Sequence, residues 1–267
     1  MLLRFAALVG LVASSTSALA ALSLVGSAGS GWQAFPGTLN NYADPLRPYW
    51  DQRSKDGGNR NVGNYLNGSY DLPLPGGSAG SPNITPPWWG RTSNTNYSAT
   101  MDNAVHFNRA NPTTSVGTTL KLEVAGNAGI NEIGWYDIND AAGSEVLHTV
   151  YTGGNSAVMS VTFTTSANFG LFMKSGDLIF FSESIRNRGG VMTIADQSVQ
   201  HFAFFGADLT AHAEKYYVGV EDLPLSGAGV EEIGDYNDMV FTLEAVPTPG
   251  TTSLIAIGGL LATRRRR

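Results

Sequence analysis

From Thr118 to Val246 the chain never sustains an apolar stripe at helical spacing. It is cut into short runs of alternating apolar and polar residues by Gly, Asn, Asp and Ser. Residues 119–124, 146–151, 157–164, 170–173, 177–181, 201–205, 216–221 and 239–245 each suit a strand, because period-two alternation lines one face of a pleated segment with apolar side chains. Strands this closely spaced, with turn residues between them, predict an all-β fold: an antiparallel β-sandwich or jelly-roll-like domain. Thirty-two glycines and only 14% charged residues agree with many turns and few amphipathic helices.

Residues 21–116 are different. They are rich in Gly, Asn, Pro, Ser and Thr, with stretches such as Leu72-Pro73-Leu74-Pro75-Gly76-Gly77 that read as turns and linkers. A loop-rich region, part of the same domain or leading into it, is expected there, and the β-sandwich is placed at 117–246. Trp88-Trp89 has two readings: a plug for a core, or a platform on which a sugar ring stacks, as in a lectin-like module that binds extracellular polysaccharide.

Both ends look like addresses. Residues 1–20 run from basic Arg4 through apolar 5–12 to a small-residue stretch with Ala18 and Ala20 in A-x-A spacing, a signal peptide for the secretion translocon. The other end reads Pro247-Thr248-Pro249-Gly250, an apolar run over 254–262, then Arg264, Arg265, Arg266 and Arg267. Proline ends the preceding strand, the apolar run enters a membrane, and the arginines stay on the cytoplasmic side. A permanent span needs about 20 apolar residues, so attachment through this run is expected to be transient.

The tail at 247–267 resembles the PEP-CTERM sorting signals of bacterial envelope proteins, with Pro247-Thr248-Pro249 in place of Pro-Glu-Pro. That resemblance implies recognition by an exosortase-type membrane enzyme, removal of the tail, and delivery to the cell envelope, cell surface or extracellular matrix.

Five of the 16 basic residues lie in the two end segments and none of the 22 acidic ones does, so the remainder carries 11 basic groups against 22 acidic. A surface of that sign repels nucleic acid and attracts cations. Cysteine is absent, which removes disulfides, thiol catalysis and thiolate metal ligands.

The most distinctive cluster is Glu221-Asp222-Leu223 at the end of one expected strand, followed by Asp235-Tyr236-Asn237-Asp238 before the last. If those strands are neighbours, the second acidic group returns beside the first, and converging carboxylates need protons, hydrogen bonds or a cation. Ca²⁺ is the natural cation, since it accepts about six to eight oxygen ligands. Asp222, Asp235, Asn237 and Asp238 are the candidate ligands, with Glu221, Glu231 and Glu232 behind them. Asp and Asn also cap turns, so turn formation is the competing reading.

The same pair of motifs resembles the bacterial family called domain of unknown function 4114. Its hallmark is Phe-Glu-Asp-Leu followed by Asp-Tyr-Asn-Asp and a hydrophobic strand, often just before a PEP-CTERM tail. Here Val220 replaces the Phe, and Ile133-Gly134-Trp135-Tyr136-Asp137, Phe169-Gly170-Leu171-Phe172 and Gln200-His201-Phe202 extend a looser likeness over residues 131–245. The resemblance implies a sandwich-like surface module without established catalytic residues.

Other chemistry finds little support. Asp137-Ile138-Asn139-Asp140 fails as an EF-hand loop because Ala142 takes the glycine position and His148 the final Glu position, leaving an Asx turn. His106, His148, His201 and His212 lack zinc-hydrolase spacing, and His201, beside an apolar run, reads as partly buried and structural. No nucleophile elbow, P-loop or dinucleotide fingerprint is present. A glycosidase using Asp235 and Asp238 is the third reading, after a non-enzymatic envelope module and a lectin. The charged stretch 183–190 is expected to be a solvated hairpin loop.

Overall fold

The expected alternation is visible residue by residue in strand β11 (Phe202–Asp208), where Phe202 and Phe204 enter one apolar cluster while Ala203 and Phe205 enter another on the opposite face. A strand apolar on both faces must be covered on both, and this one is. The computed structural model describes residues 22–26, 32–33, 50–51, 58–89, 104–111, 114–154, 158–190, 200–208, 212–224 and 234–246.

Two antiparallel sheets pack face to face as an all-β sandwich. The first orders β1 (Leu22–Val25), β4 (His106–Arg109), β9 (Asn168–Ser175), β6 (Asn131–Asp137) and β7 (His148–Thr152), with β10 (Leu178–Phe181) also paired to β9. The second orders β2 (Trp32–Gln33), β3 (Trp88–Trp89), β11, β12 (His212–Val220), β13 (Met239–Val246), β5 (Ser115–Glu123) and β8 (Met159–Phe163).

Between the sheets lie Phe107, Ile133, Phe169, Leu171 and Met173 from the first, facing Leu120, Phe204, Val218, Phe241 and Leu243 from the second. Each such side chain contributes about 1.5–3 kcal/mol by leaving water. The outer face of the second sheet is covered by a short helix, α1 (Val62–Asn67), and by Trp50, which seal Trp88, Leu122, Phe205, Tyr217 and Val240. Asn61 starts this helix, its Oδ1 accepting from Asn64 N at 2.9 Å, and left-handed Gly68 ends it.

All eight expected strands are present within a few residues, and β6 is added to them. Five further elements, β1, β2, β3, β4 and α1, come from the stretch expected to be loop-rich. That stretch is woven into the sandwich: Tyr216 Oη donates to Leu22 O at 2.9 Å, and Ala79 N donates to Lys121 O at 2.8 Å. Lys121 sits where the register of β5 against β13 slips, so its carbonyl is released from the ladder.

Trp88 and Trp89 are buried, 2% and 6% exposed, and belong to the core; they offer no platform to a sugar. The stretch 183–190 corrects a second expectation. It is a half-buried polar clasp, exposed at Ile185, Gly189 and Gly190, rather than a fully solvated loop: Arg186 Nη1 lies 3.0 Å from Glu145 Oε1, Arg188 Nη1 lies 2.5 Å from Glu145 Oε2, and Asn187 Oδ1 accepts from Phe181 N at 2.6 Å. It closes the outer face of the first sheet over Tyr136, Phe172 and Phe181. Its arginines also lie over aromatic rings, Arg186 over Tyr136 and Arg188 over Phe181.

Candidate functional site

Strands β12 and β13 are hydrogen-bonded neighbours, with Val220 opposite Met239. The two acidic motifs therefore start and end the same excursion and lie side by side, as the spacing suggested. What happens between them depends on one backbone angle.

Tyr236 has a positive φ of 55°. Left-handed backbone is rare for an aromatic residue and persists only when its surroundings fix it. Here they do: Tyr236 is fully buried, its N–H donates to Glu221 Oε1, and its hydroxyl donates to the carbonyl of Gln200. The ring packs with Trp50, Val62 and Tyr65 on the outer face of the second sheet.

The turn splits the candidate ligands into two groups. Asp235 and Asn237 hold the start of α1: Asp235 O accepts from Val62 N at 2.8 Å, the Asp235 carboxylate accepts from Asn237 Nδ2 at 2.7 Å, and the same amide donates to Arg60 O. Asp238 belongs to the other group. Its Oδ2 accepts from Asp222 N at 2.8 Å, and its carbonyl accepts from Val124 N at 2.9 Å. Glu221 stands between them, buried, bonded through its carboxylate to Tyr236 and through its N–H to His201 O at 3.0 Å.

Asp222 is 1% exposed, and its Oδ2 accepts from Asn131 Nδ2 at 2.7 Å. Asn131 begins β6 of the first sheet, so this bond ties the two sheets together at the rim of the sandwich. Burial pushes the Asp222 carboxyl above the ordinary range, opposed by hydrogen bonds from Asn131, Asp238 and the Asn127 backbone. Among the described residues no basic side chain pairs with it. Asn131 Oδ1, on the same amide, is buried and accepts nothing.

Nothing in the local sequence marks Asn131, which lies 91 residues from Asp222 in the chain. Gln200, which receives the Tyr236 hydroxyl, and Arg60, which receives the Asn237 amide, are also invisible to motif reading.

The other candidates resolve simply. Asp137 Oδ1 accepts from Asn139 N at 2.9 Å, the expected Asx turn. His201 is fully buried, further than expected, with its ring stacked 3.8 Å from that of Phe180 and Nε2 3.1 Å from Leu223 O. A carbonyl only accepts, so Nε2 carries the proton. His148 is exposed and stacks on Trp135 with centroids 4.0 Å apart. Among the described residues no three His, Asp or Glu side chains gather closely enough to hold a metal by themselves, and no helix is long and apolar enough to cross a membrane. Residues 1–20 with Ala18 and Ala20, the loop residues Glu231 and Glu232, and the tail with Pro247, Pro249 and Arg264 to Arg267 lie outside the described residues.

Compared with protein-family models, with curated proteins and with solved structures, the chain finds no match.

Proposed function

We propose that this chain is an exported, non-enzymatic β-sandwich module of the cell envelope or extracellular matrix, delivered through its C-terminal sorting tail and rigidified by Ca²⁺. The observation that carries the reading is the pair of addressing segments around a single sandwich: the A-x-A end at Ala18 and Ala20, and the Pro247, apolar and Arg264–267 order of the tail. The acidic motifs support a structural role. Asp235, Asn237 and Glu221 each hold a backbone group at the junction of α1 and the second sheet, where a hydrolase would need an acid and a nucleophile facing substrate across a cleft. The partners on this reading are the translocon and an exosortase-type enzyme.

Expression in a host that carries an exosortase, with and without residues 247–267, tests it. The full chain is expected at the surface or in the medium, with mass spectrometry placing its new N-terminus at Ala21 and its C-terminus within the tail; the truncated chain is expected to be exported but not sorted. A chain that keeps Met1 and remains in the cytoplasm would overturn the reading.

A further inference from the structure

We propose that the Ca²⁺ site is formed by Asp222, Asp238 and Asn131 where β12, β13 and β6 meet, and that Asp235, Asn237 and Glu221 are not ligands but clasps. This rests on the reading of the protein as a calcium-stabilised module and narrows it to one place. Two observations carry it independently.

The first is the carboxylate pair. Asp222 is buried, and the Asp238 carboxylate reaches its backbone N–H at 2.8 Å. The Asp222 carboxyl is hydrogen-bonded with Asn131, Asp238 and the Asn127 backbone but pairs with no basic side chain among the described residues, so a cation would supply the positive charge that a buried carboxylate favours.

The second is Asn131. It is 1% exposed, its Nδ2 is committed to Asp222, and its Oδ1 meets no donor. A buried amide oxygen without a partner costs free energy, and native structures rarely leave one so. Amide nitrogen and oxygen exchange places by a half-turn of the side chain. With no ion, Asn131 presents its donor to Asp222; with an ion between them, it turns its oxygen inward and both groups become ligands.

The donors are all oxygen, without nitrogen or sulfur, which suits Ca²⁺ over zinc. Two carboxylates and one amide give a low ligand charge, with water and main-chain oxygens to complete the shell. That count places the affinity with extracellular modules, with a Kd of about 10⁻⁴–10⁻³ M. Mg²⁺, which needs a rigid octahedron and sheds water reluctantly, is expected to bind more weakly still. An ion here bridges the two sheets, because Asn131 belongs to the first and the carboxylates flank the second.

The test is calorimetric titration of the purified full chain with CaCl₂ and with MgCl₂, on the parent and on Asp222→Asn, Asp238→Asn, Asn131→Ala and Asp235→Asn. The inference expects Ca²⁺-selective binding by the parent, weakened at least about tenfold by each of the first three substitutions and left within about twofold by Asp235→Asn. If the parent binds but only Asp235→Asn weakens it, this placement is overturned while the calcium reading stands. If the parent takes up no Ca²⁺ at about 10 mM, both fall. Should a variant fail to fold, anomalous scattering from parent crystals soaked in Tb³⁺ locates the ion without any substitution; density away from Asp222 and Asp238 overturns the placement.

Discussion

Gly219→Ala should damage this sandwich by adding a single methyl group where no space exists for it. Gly219 lies in β12 on the outer face of the second sheet, beneath both Tyr236 and α1. A Cβ built there falls 2.4 Å from Tyr236 O and 2.7 Å from Val62 Cγ2. Real Cβ atoms do not approach backbone oxygen so closely, and this carbonyl cannot swing away. It belongs to the left-handed residue whose N–H and hydroxyl are both tied down. The strain must therefore lift the turn or the helix from the sheet. Overpacking of this kind costs about 1–3 kcal/mol, and at about 2–4 °C per kcal/mol for a domain of this size the melting midpoint should fall by about 2–12 °C. Thermal denaturation followed by circular dichroism reads the shift. Val62→Ala removes one of the two clashes but leaves the carbonyl, so the double variant should recover part of the loss, a coupling of about 0.5–3 kcal/mol. A Gly219→Ala protein melting within about 1 °C of the parent would show that the helix and turn ride loosely on β12, and the account of the Tyr236 turn would fail with it.

Three other substitutions probe the same framework. Glu145→Gln leaves Arg186 and Arg188 facing a buried neutral amide and should cost about 3 kcal/mol in denaturant titration; an unchanged midpoint would mean that the ion pairs contribute nothing. The Glu145 carboxyl, though raised by burial, is held below the ordinary range by backbone and arginine hydrogen bonds, so its contribution is present above the usual Glu value of about 4.3 and lost as pH falls through the depressed one. The acid limb of the parent's stability profile should accordingly flatten in the variant. Tyr236→Phe leaves the Gln200 carbonyl without its hydroxyl donor and should cost about 1–3 kcal/mol; a midpoint equal to the parent's would place that bond outside the turn's support. Asp222→Asn should behave with the opposite sign to Glu145→Gln in chelator. The folded Asp222 carboxyl is raised, so the parent's advantage is present below the usual Asp value of about 3.9 and lost as pH rises through the raised one; a stability difference that is flat between acid and neutral pH would contradict this.

The long strands β5, β9 and β13 were legible in part, as short runs of β-forming apolar residues bounded by turn residues, although β9 and β13 are buried on both faces over most of their length and keep no strict alternation. Strand β6 was not. Its burial breaks step at Gly134, where the register against β7 slips, so Ile133 and Gly134 are both buried and the alternation is lost. Strands β1, β3 and β4 span two to four residues, too few for any period to show, and their place in the sheets comes from tertiary pairing alone. Neighbouring Gly170 and Tyr136 show another packing device that the sequence conceals: the tyrosine ring lies over the glycine of the adjacent strand, where a Cβ would sit 2.3 Å from it. The acidic site was half legible. That the two motifs meet follows from β12 and β13 being neighbours. That they then divide, with Asp235 and Asn237 toward α1 and Asp238 toward Asp222, follows from the backbone of Tyr236, which no spacing rule encodes.

The division also decides how calcium and protons compete. A carboxyl kept above its ordinary range by burial holds its proton further toward neutrality than an exposed one does. A cation bound to Asp222 must displace that proton, so calcium uptake should release protons, and affinity should weaken as pH falls into the raised range. Titrating Ca²⁺ in two buffers of equal pH and different ionisation enthalpy separates the released protons from the heat of binding. Release should be measurable where the pH lies within the raised range, fade above it, and vanish in Asp222→Asn. Asp235 has no part in this exchange, because its carboxylate is engaged with Asn237 at the head of α1, and Asp235→Asn should leave the proton count as it is. Calcium uptake without any pH-dependent release would mean that the ion sits against carboxylates already charged, and the buried Asp222 would not be among them.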